Sequence, residues 1–241
     1  ETAGTARPPV RTLHHLACTG GTLISRCLGA MPNVQLLSEV DPLSTNTFNR
    51  FVPTNLIGLA QFGSRRADDD TVIRLFLSGL RVLCESAELA GRDLVLRDHS
   101  HSHFCHGATI PDRPTLRETV LRDWPVRSAV TVRHPFDTFL ALQASRFLHF
   151  TPATPDEYAR RYHAFLDRHA DIEILRYEDF VADPETAMQR LCGILGLSYS
   201  PLFLLTFQAI RLSGDSGRSG DVISERPRRP PCCKDSLRRN A

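Results

Sequence analysis

Five short apolar runs punctuate this chain, and each closes on a polar or glycine-bearing motif. Leu13-His14-His15-Leu16-Ala17 runs into the small turn Cys18-Thr19-Gly20-Gly21-Thr22. Val34-Gln35-Leu36-Leu37 ends at Ser38-Glu39, and Leu94-Val95-Leu96 opens the polar burst Arg97-Asp98-His99-Ser100-His101-Ser102-His103. Ala129-Val130-Thr131-Val132 ends at Arg133-His134-Pro135, and Ile172-Glu173-Ile174-Leu175 at Arg176-Tyr177-Glu178-Asp179. Between these runs the apolar spacing turns helical. Leu23, Ile24, Cys27, Leu28 and Met31 share a face up to Pro32-Asn33, and Asp68-Asp69-Asp70 opens a helix over Thr71–Leu89 that Gly91 stops. Further helices are predicted over Phe136–Leu148 and Asp156–His169, and one opened by Asp183-Pro184-Glu185 ends near Gly196. Strands separated by helices predict an α/β, three-layer fold with a central, roughly five-stranded parallel sheet and helices on both faces. Ligands of such open sheets bind at the C-terminal strand ends, where all five motifs sit.

At 241 residues the chain suits one domain over 1–230, followed by a Pro/Arg/Cys tail over 231–241. Asp41–Ser64 has weak periodicity and reads as a long functional loop or lid with room for a short helix. A net charge of +2 argues against nucleic acid as a partner. No apolar run reaches the ~18 residues of a membrane span. Glu1–Pro9 lacks the basic and apolar regions of a signal peptide. The chain has no initiator Met and is read as processed or incomplete. Seven cysteines, irregularly spaced and without Cys-x-x-Cys, suit neither a disulfide framework nor a zinc ribbon, so a reducing cytoplasm is the expected location. Lys234 is the only lysine. An anion site inside the domain must therefore be built from Arg, His or backbone N–H groups.

The turn Thr19-Gly20-Gly21-Thr22 lies between a strand and a helix. Glycines there let backbone N–H groups converge on an anion, the helix N-terminus adds partial positive charge, and the Thr22 hydroxyl can donate. Tight-turn sterics alone explain the glycines equally well. No Gly-Lys-Ser/Thr follows, so the phosphate loop of an ordinary kinase or ATPase is absent. In the burst after Leu96, His-x-His-x-His would point one way along an extended strand. No second Cys/His cluster completes a tetrahedral site, so no metal is expected. His101, His103 and His106 read as polar loop or helix-start residues. His14 and His15 alternate on a strand, one buried and hydrogen-bonded, and neither is given a role.

Taken together, three segments resemble the PAPS-dependent sulfotransferases, whose donor is 3′-phosphoadenosine 5′-phosphosulfate. His15-Leu16-Ala17-Cys18-Thr19-Gly20-Gly21-Thr22-Leu23 resembles the family's 5′-phosphosulfate loop, Pro-Lys-Ser-Gly-Thr-Thr. Val132-Arg133-His134-Pro135-Phe136-Asp137 resembles its 3′-phosphate motif, and Leu175-Arg176-Tyr177-Glu178-Asp179-Phe180 its Leu-Arg-Tyr-Glu-Asp-Leu segment. The resemblance covers roughly residues 12–230, with 41–90 and 105–125 unmatched. It implies a P-loop-containing nucleotide-binding architecture and transfer of a sulfuryl group from PAPS to a hydroxyl or amine acceptor, releasing 3′,5′-ADP. The acceptor would be a small molecule, a carbohydrate or a lipid. It assigns Thr19, Gly20, Gly21 and Thr22 to the 5′-phosphosulfate. Arg133 goes to the 3′-phosphate, with Ser216, Gly217 and Arg218 of the late Gly-rich stretch. His99 stands where the family has its general base, and Glu39 is the rival base at another strand end. Tyr177 and Asp179 are read as bracing the sheet edge. Two departures stand out. Cys18 replaces the loop lysine, leaving Arg26 and Arg97 as substitute cations. Ala141 replaces a phosphate-binding serine, for which Ser145, one helical turn on, can stand in. These departures keep open a catalytically impaired nucleotide-binding module of the same fold; a P-loop kinase or ATPase is the other alternative, disfavoured by the missing Gly-Lys.

Overall fold

Along residues 7–44, 55–213 and 223, which this computed structural model describes, strands alternate with helices. In order they are β1 (Val10–His14), α1 (Gly21–Gly29), β2 (Val34–Val40), α2 (Leu56–Gln61), α3 (Asp69–Leu89), β3 (Asp93–Asp98), α4 (Ser100–Phe104) and β4 (His106–Gly107). Then come α5 (Leu116–Val120), β5 (Val126–Val132), α6 (Pro135–Ala144), β6 (His149–Phe150), α7 (Pro155–Arg168), β7 (Glu173–Arg176), α8 (Tyr177–Ala182), α9 (Pro184–Leu195) and α10 (Phe203–Thr206).

Five strands form one sheet in the order β2-β3-β1-β5-β7, with every pair parallel. Side chains alternate between its faces. On one face Leu13, Val95 and Ala129 pack with Ile24 and Leu28 of α1, Phe180 of α8, Met188 and Leu191 of α9 and Phe203 of α10. On the other, Leu94 and Leu96 meet Val72, Ile73 and Leu77 of α3 and Leu116 of α5. Beside them Leu16 and Val130 meet Phe104 of α4, Phe139 of α6, and Tyr158 and Phe165 of α7. This is the three-layer α/β architecture expected.

Helix ends follow local chemistry. The Asp68 side chain accepts from Thr71 N at 2.7 Å and caps α3. Asp183 caps α9, with Pro184 in its first turn and the left-handed Gly196 at its C-cap. No helix among the described residues is long and apolar enough to cross a membrane. Cys18, Cys27, Cys84, Cys105 and Cys192 form no disulfides.

Several boundaries depart from the sequence expectation. β1 begins three residues early, because Arg11 stays in the central strand with its guanidinium on Asp93 at 2.8 Å and Leu195 O at 3.0 Å. The stretch after Pro42 contains α2, while 45–54 lies outside the described residues, as do Ser216, Gly217, Arg218 and the 231–241 tail. The larger correction concerns the histidine burst. Its second half forms the short helix α4, so His101 and His103 are helix-start residues, one of the two readings, but they are buried rather than facing solvent. Imidazole can enter a core by staying neutral. Burial, aided by the neighbouring charge of His99 and His149, pushes His101 down to about 3. Burial, aided by Arg113, pushes His103 down to about 4.

Candidate active site

Parallel pairing brings the C-terminal ends of β2, β3 and β1 side by side, and the polar motifs that follow them meet there. The turn after β1 is shaped by two glycines. Gly20 has φ +87, and a Cβ on it would stand 2.1 Å from Tyr177 Cδ2. A Cβ on Gly21 would stand 2.1 Å from the His15 ring. Both glycines are therefore required for close approach, whether or not an anion binds. Gly20 is also the N-cap of α1 and offers no side-chain cap; its carbonyl takes the Leu23 N–H at 3.0 Å, which leaves the Gly21 and Thr22 N–H groups to face an external acceptor. Thr19 turns its hydroxyl inward, donating to Leu16 O at 2.8 Å, which leaves its backbone N–H as its donor.

Arg97, at the end of β3 and 5% exposed, organises the site. Its Nη2 lies 3.1 Å from Thr22 Oγ1 and 2.8 Å from Glu39 Oε1. Its Nη1 donates to Ser38 Oγ at 2.8 Å, and its Nε to His15 Nε2 at 2.9 Å. Guanidinium only donates, so Thr22 accepts from Arg97 and keeps its own hydrogen for another partner. For the same reason His15 presents a lone pair at Nε2. Burial and then the Arg97 charge hold its pKa well below the ordinary histidine value.

Glu39 closes the group. It sits at φ +61 where the β2–β3 register shifts between Leu37 and Val40. A bulge of this kind re-aims a side chain at a strand end. One Glu39 oxygen takes Arg97, and the other lies 3.2 Å from His99 Nε2. His99 is anchored by its N–H, which donates to Val40 O at 3.1 Å, and its side chain is 24% exposed. The two rival bases are thus neighbours, both partly open to solvent, and Glu39 is ion-paired to Arg97.

Across the turn, Arg133 donates to Cys18 O at 3.4 Å and lies over the Tyr177 ring at 5.3 Å. Tyr177 therefore braces the glycine turn and Arg133 rather than the sheet edge. Glu178 accepts from His134 N at 2.8 Å and fixes the start of α6. Cys18 itself sits at φ +65. Of the two arginines that could replace the loop lysine, Arg97 touches the turn, whereas Arg26 is buried in the last turn of α1. Ser145 is the C-cap of α6. That is ten positions past Pro135, about 15 Å along the axis at the helical rise.

Sequence reasoning proposed Thr22, Arg133, His99 and Glu39. It did not foresee Ser38, His15 and Tyr177 as their supports. The available signal for Arg97 was its place at the end of an apolar run in a chain with a single lysine.

Solved structures that share this fold include two sulfotransferase domains. The sulfotransferase domain from the Synechococcus PCC 7002 olefin synthase aligns with a TM-score of 0.59 at 16% identity, covering 88% of this chain and 82% of that one. The sulfotransferase domain from the curacin biosynthetic pathway aligns with a TM-score of 0.53 at 17% identity, over 88% and 82%. No protein-family model matches the sequence, and no curated protein matches it. The chain has the α/β fold of these sulfotransferases.

Proposed function

We propose that this protein transfers a sulfuryl group from PAPS to a hydroxyl or amine acceptor. The observation that carries the proposal is the Arg97 fork, which ties the uncapped turn at Thr22 to the Glu39–His99 pair. An anion-binding turn, a cation and a proton acceptor then share one strand edge, as the reaction demands. In-line transfer needs donor and acceptor held together and charge stabilised on the leaving oxygen.

In this reading the first-turn N–H groups of α1 and the Thr22 hydroxyl hold the 5′-phosphosulfate. Arg97 takes the place of the missing loop lysine and faces the oxygen between phosphorus and sulfur. The acceptor oxygen or nitrogen bonds to sulfur as the bond from sulfur to that bridging oxygen breaks. His99 removes the acceptor proton, Glu39 orients its ring and steadies the imidazolium, and 3′,5′-ADP leaves. Arg133 binds the 3′-phosphate with Ser216, Gly217 and Arg218, and Ser145 joins them only if the pocket extends to the end of α6. PAPS carries about four negative charges, so these arginines matter for affinity. No step needs a metal, since Arg97 and the turn supply the positive potential.

Calorimetric titration with 3′,5′-ADP, 5′-AMP and ATP with Mg²⁺ tests the donor side. The 3′-phosphate should confer a clear preference for 3′,5′-ADP, and Arg133→Ala should weaken it by ~1.5–3 kcal/mol. Equal affinity for 5′-AMP and 3′,5′-ADP overturns the assignment. A radiolabelled PAPS screen over alcohols, phenols, amines, carbohydrates and lipids then tests transfer. Binding without turnover on any acceptor points to the impaired module, which the cysteine at position 18 favours.

A further inference from the structure

On the opposite face of β1 and β3 from Arg97, three buried side chains converge. His14 of β1, Asp98 of β3 and His169 at the end of α7 are 0%, 6% and 1% exposed. They offer ligand atoms within 4.8 Å of one another. We propose that His14, Asp98 and His169 bind a divalent transition-metal ion, Zn²⁺ above all, with a water in the fourth position. Two imidazoles and one carboxylate suit a borderline ion, and three protein ligands plus water make a familiar four-coordinate zinc site.

The second observation is the state of His169. Its Nδ1 donates to Phe165 O at 2.8 Å, which fixes the tautomer and leaves Nε2 as the nitrogen free to ligate. That Nε2 is buried and has no hydrogen-bond partner among the described residues. A buried nitrogen lone pair without a partner is costly, and a metal ion satisfies it.

The other ligands are also held from behind, as metal ligands are. His14 Nε2 bonds Thr12 Oγ1 at 2.9 Å, and Thr12 in turn meets Ser128 Oγ at 2.7 Å. Asp98 Oδ2 accepts from Ser100 Oγ at 2.7 Å. All three ligand groups thus have an outer partner. His14 Nδ1 and Asp98 Oδ2 are now 2.7 Å apart and share a proton. Tetrahedral ligands around zinc stand about 3.3 Å apart, given bonds of roughly 2.0–2.1 Å. Metal entry therefore displaces that proton to solvent and opens the pair by about half an ångström. Burial raises the Asp98 carboxyl, but hydrogen bonding and charge from His14 outweigh it and hold the group at about 2. Burial and then the His14 charge bring His169 down to about 4.

The site faces away from the Arg97 group and supports the central strands, so it stands whether or not the chain transfers sulfuryl groups. The test uses the full chain, stripped with a chelator and titrated with Co²⁺ and then Zn²⁺. Expected are one equivalent of Co²⁺ with the visible bands of four-coordination and no thiolate charge transfer, displacement by Zn²⁺, and a rise in Tm with Zn²⁺. His169→Gln should weaken Zn²⁺ by at least about 100-fold. Thr12→Val, which leaves every ligand in place, should weaken it by about 10–100-fold. Should His169→Gln not fold, Thr12→Val and X-ray absorption on the wild-type Zn²⁺ form decide. Absence of stoichiometric metal, retained affinity in a folded His169→Gln, or sulfur among the zinc neighbours each overturns the proposal.

Discussion

Arg97 does more than any other single residue in the candidate site, because four groups from three segments depend on its guanidinium. If it offsets charge on the leaving oxygen, Arg97→Ala should lower kcat by ~10²–10³, the scale for a lost transition-state donor. Affinity for 3′,5′-ADP, which lacks the sulfuryl group, should fall less. Arg97→Lys keeps a charge but loses the fork, and should retain part of the activity. Equal losses in kcat and 3′,5′-ADP affinity would instead make Arg97 a ground-state binder. The Glu39–His99 contact of 3.2 Å carries the next expectation. His99→Ala should cut kcat by ~10²–10⁴ and Glu39→Gln by less, as expected for a base and its orienting partner. The double variant should be little worse than His99→Ala alone, since neighbours acting together are not additive. An active His99→Ala enzyme beside an inactive Glu39→Gln reverses the roles.

At the scale of elements, the turn between β1 and α1 is held by shape before any ligand arrives. Gly20→Ala must place a methyl group against Tyr177 at φ +87. It should cost ~1–3 kcal/mol in stability. In a chain of this size that lowers Tm by about 2–4 °C per kcal/mol. Adding Tyr177→Ala removes the clash but not the backbone strain, so the double variant should recover part of the loss. No change in Tm for Gly20→Ala would show that the turn is looser than drawn. The segments around Asp41 and after α4 have braces of their own. Arg113 forks onto Asp41 at 2.8 and 2.7 Å, and Ser102 also donates to Asp41. The fully buried Arg161 donates to Phe104 O at 2.9 Å, Gly107 O at 3.0 Å and Ala108 O at 2.9 Å, so the chain after α4 is fixed by one side chain. These contacts span more than 50 positions, so they leave no mark on the local pattern of 105–125.

For the whole molecule, the buried histidines of α4 set a pH dependence. His101 stands at about 3, with burial first and then His99, His149 and His106 lowering it and a bond to Phe147 raising it. His103 stands at about 4, lowered by burial, Arg113 and Arg168 and raised by Asp41 and Asp98. Their unfolded values are near 6.5. Below about pH 6.5 the unfolded chain binds protons that the folded chain does not, so stability rises with pH there and is lost as pH falls toward 4. Each such histidine contributes at most about 1.4 kcal/mol per pH unit in that window. Tm should therefore fall steadily from pH 7 to pH 5, and His101→Gln with His103→Gln should reduce the slope, while His15 and His169, also buried below the ordinary histidine value, keep part of it. A Tm that is level between pH 7 and pH 5 in the wild-type chain contradicts neutral burial of these rings.

Two features are legible before any fold is known: the alternation of five apolar strand runs with helices, and a polar motif at each strand end. Both are local: strand and helix periods, caps at Asp68 and Asp183, and turn glycines are readable within a dozen residues. The sequence also singled out Thr22 from the glycine turn, and Glu39, His99 and Arg133 from strand-end motifs, with their roles implied by the resemblance to the sulfotransferases. How they meet depends on strand pairing. Pairing in the order β2-β3-β1 sets Glu39, Arg97 and Thr22 within hydrogen-bonding reach. The two-residue alternation of β3 sends Arg97 to the α1 face and Asp98 to the opposite one, where His14 and His169 wait. Such contacts depend on register and on which face a strand residue takes, and neither is written in the identity of a residue or its near neighbours.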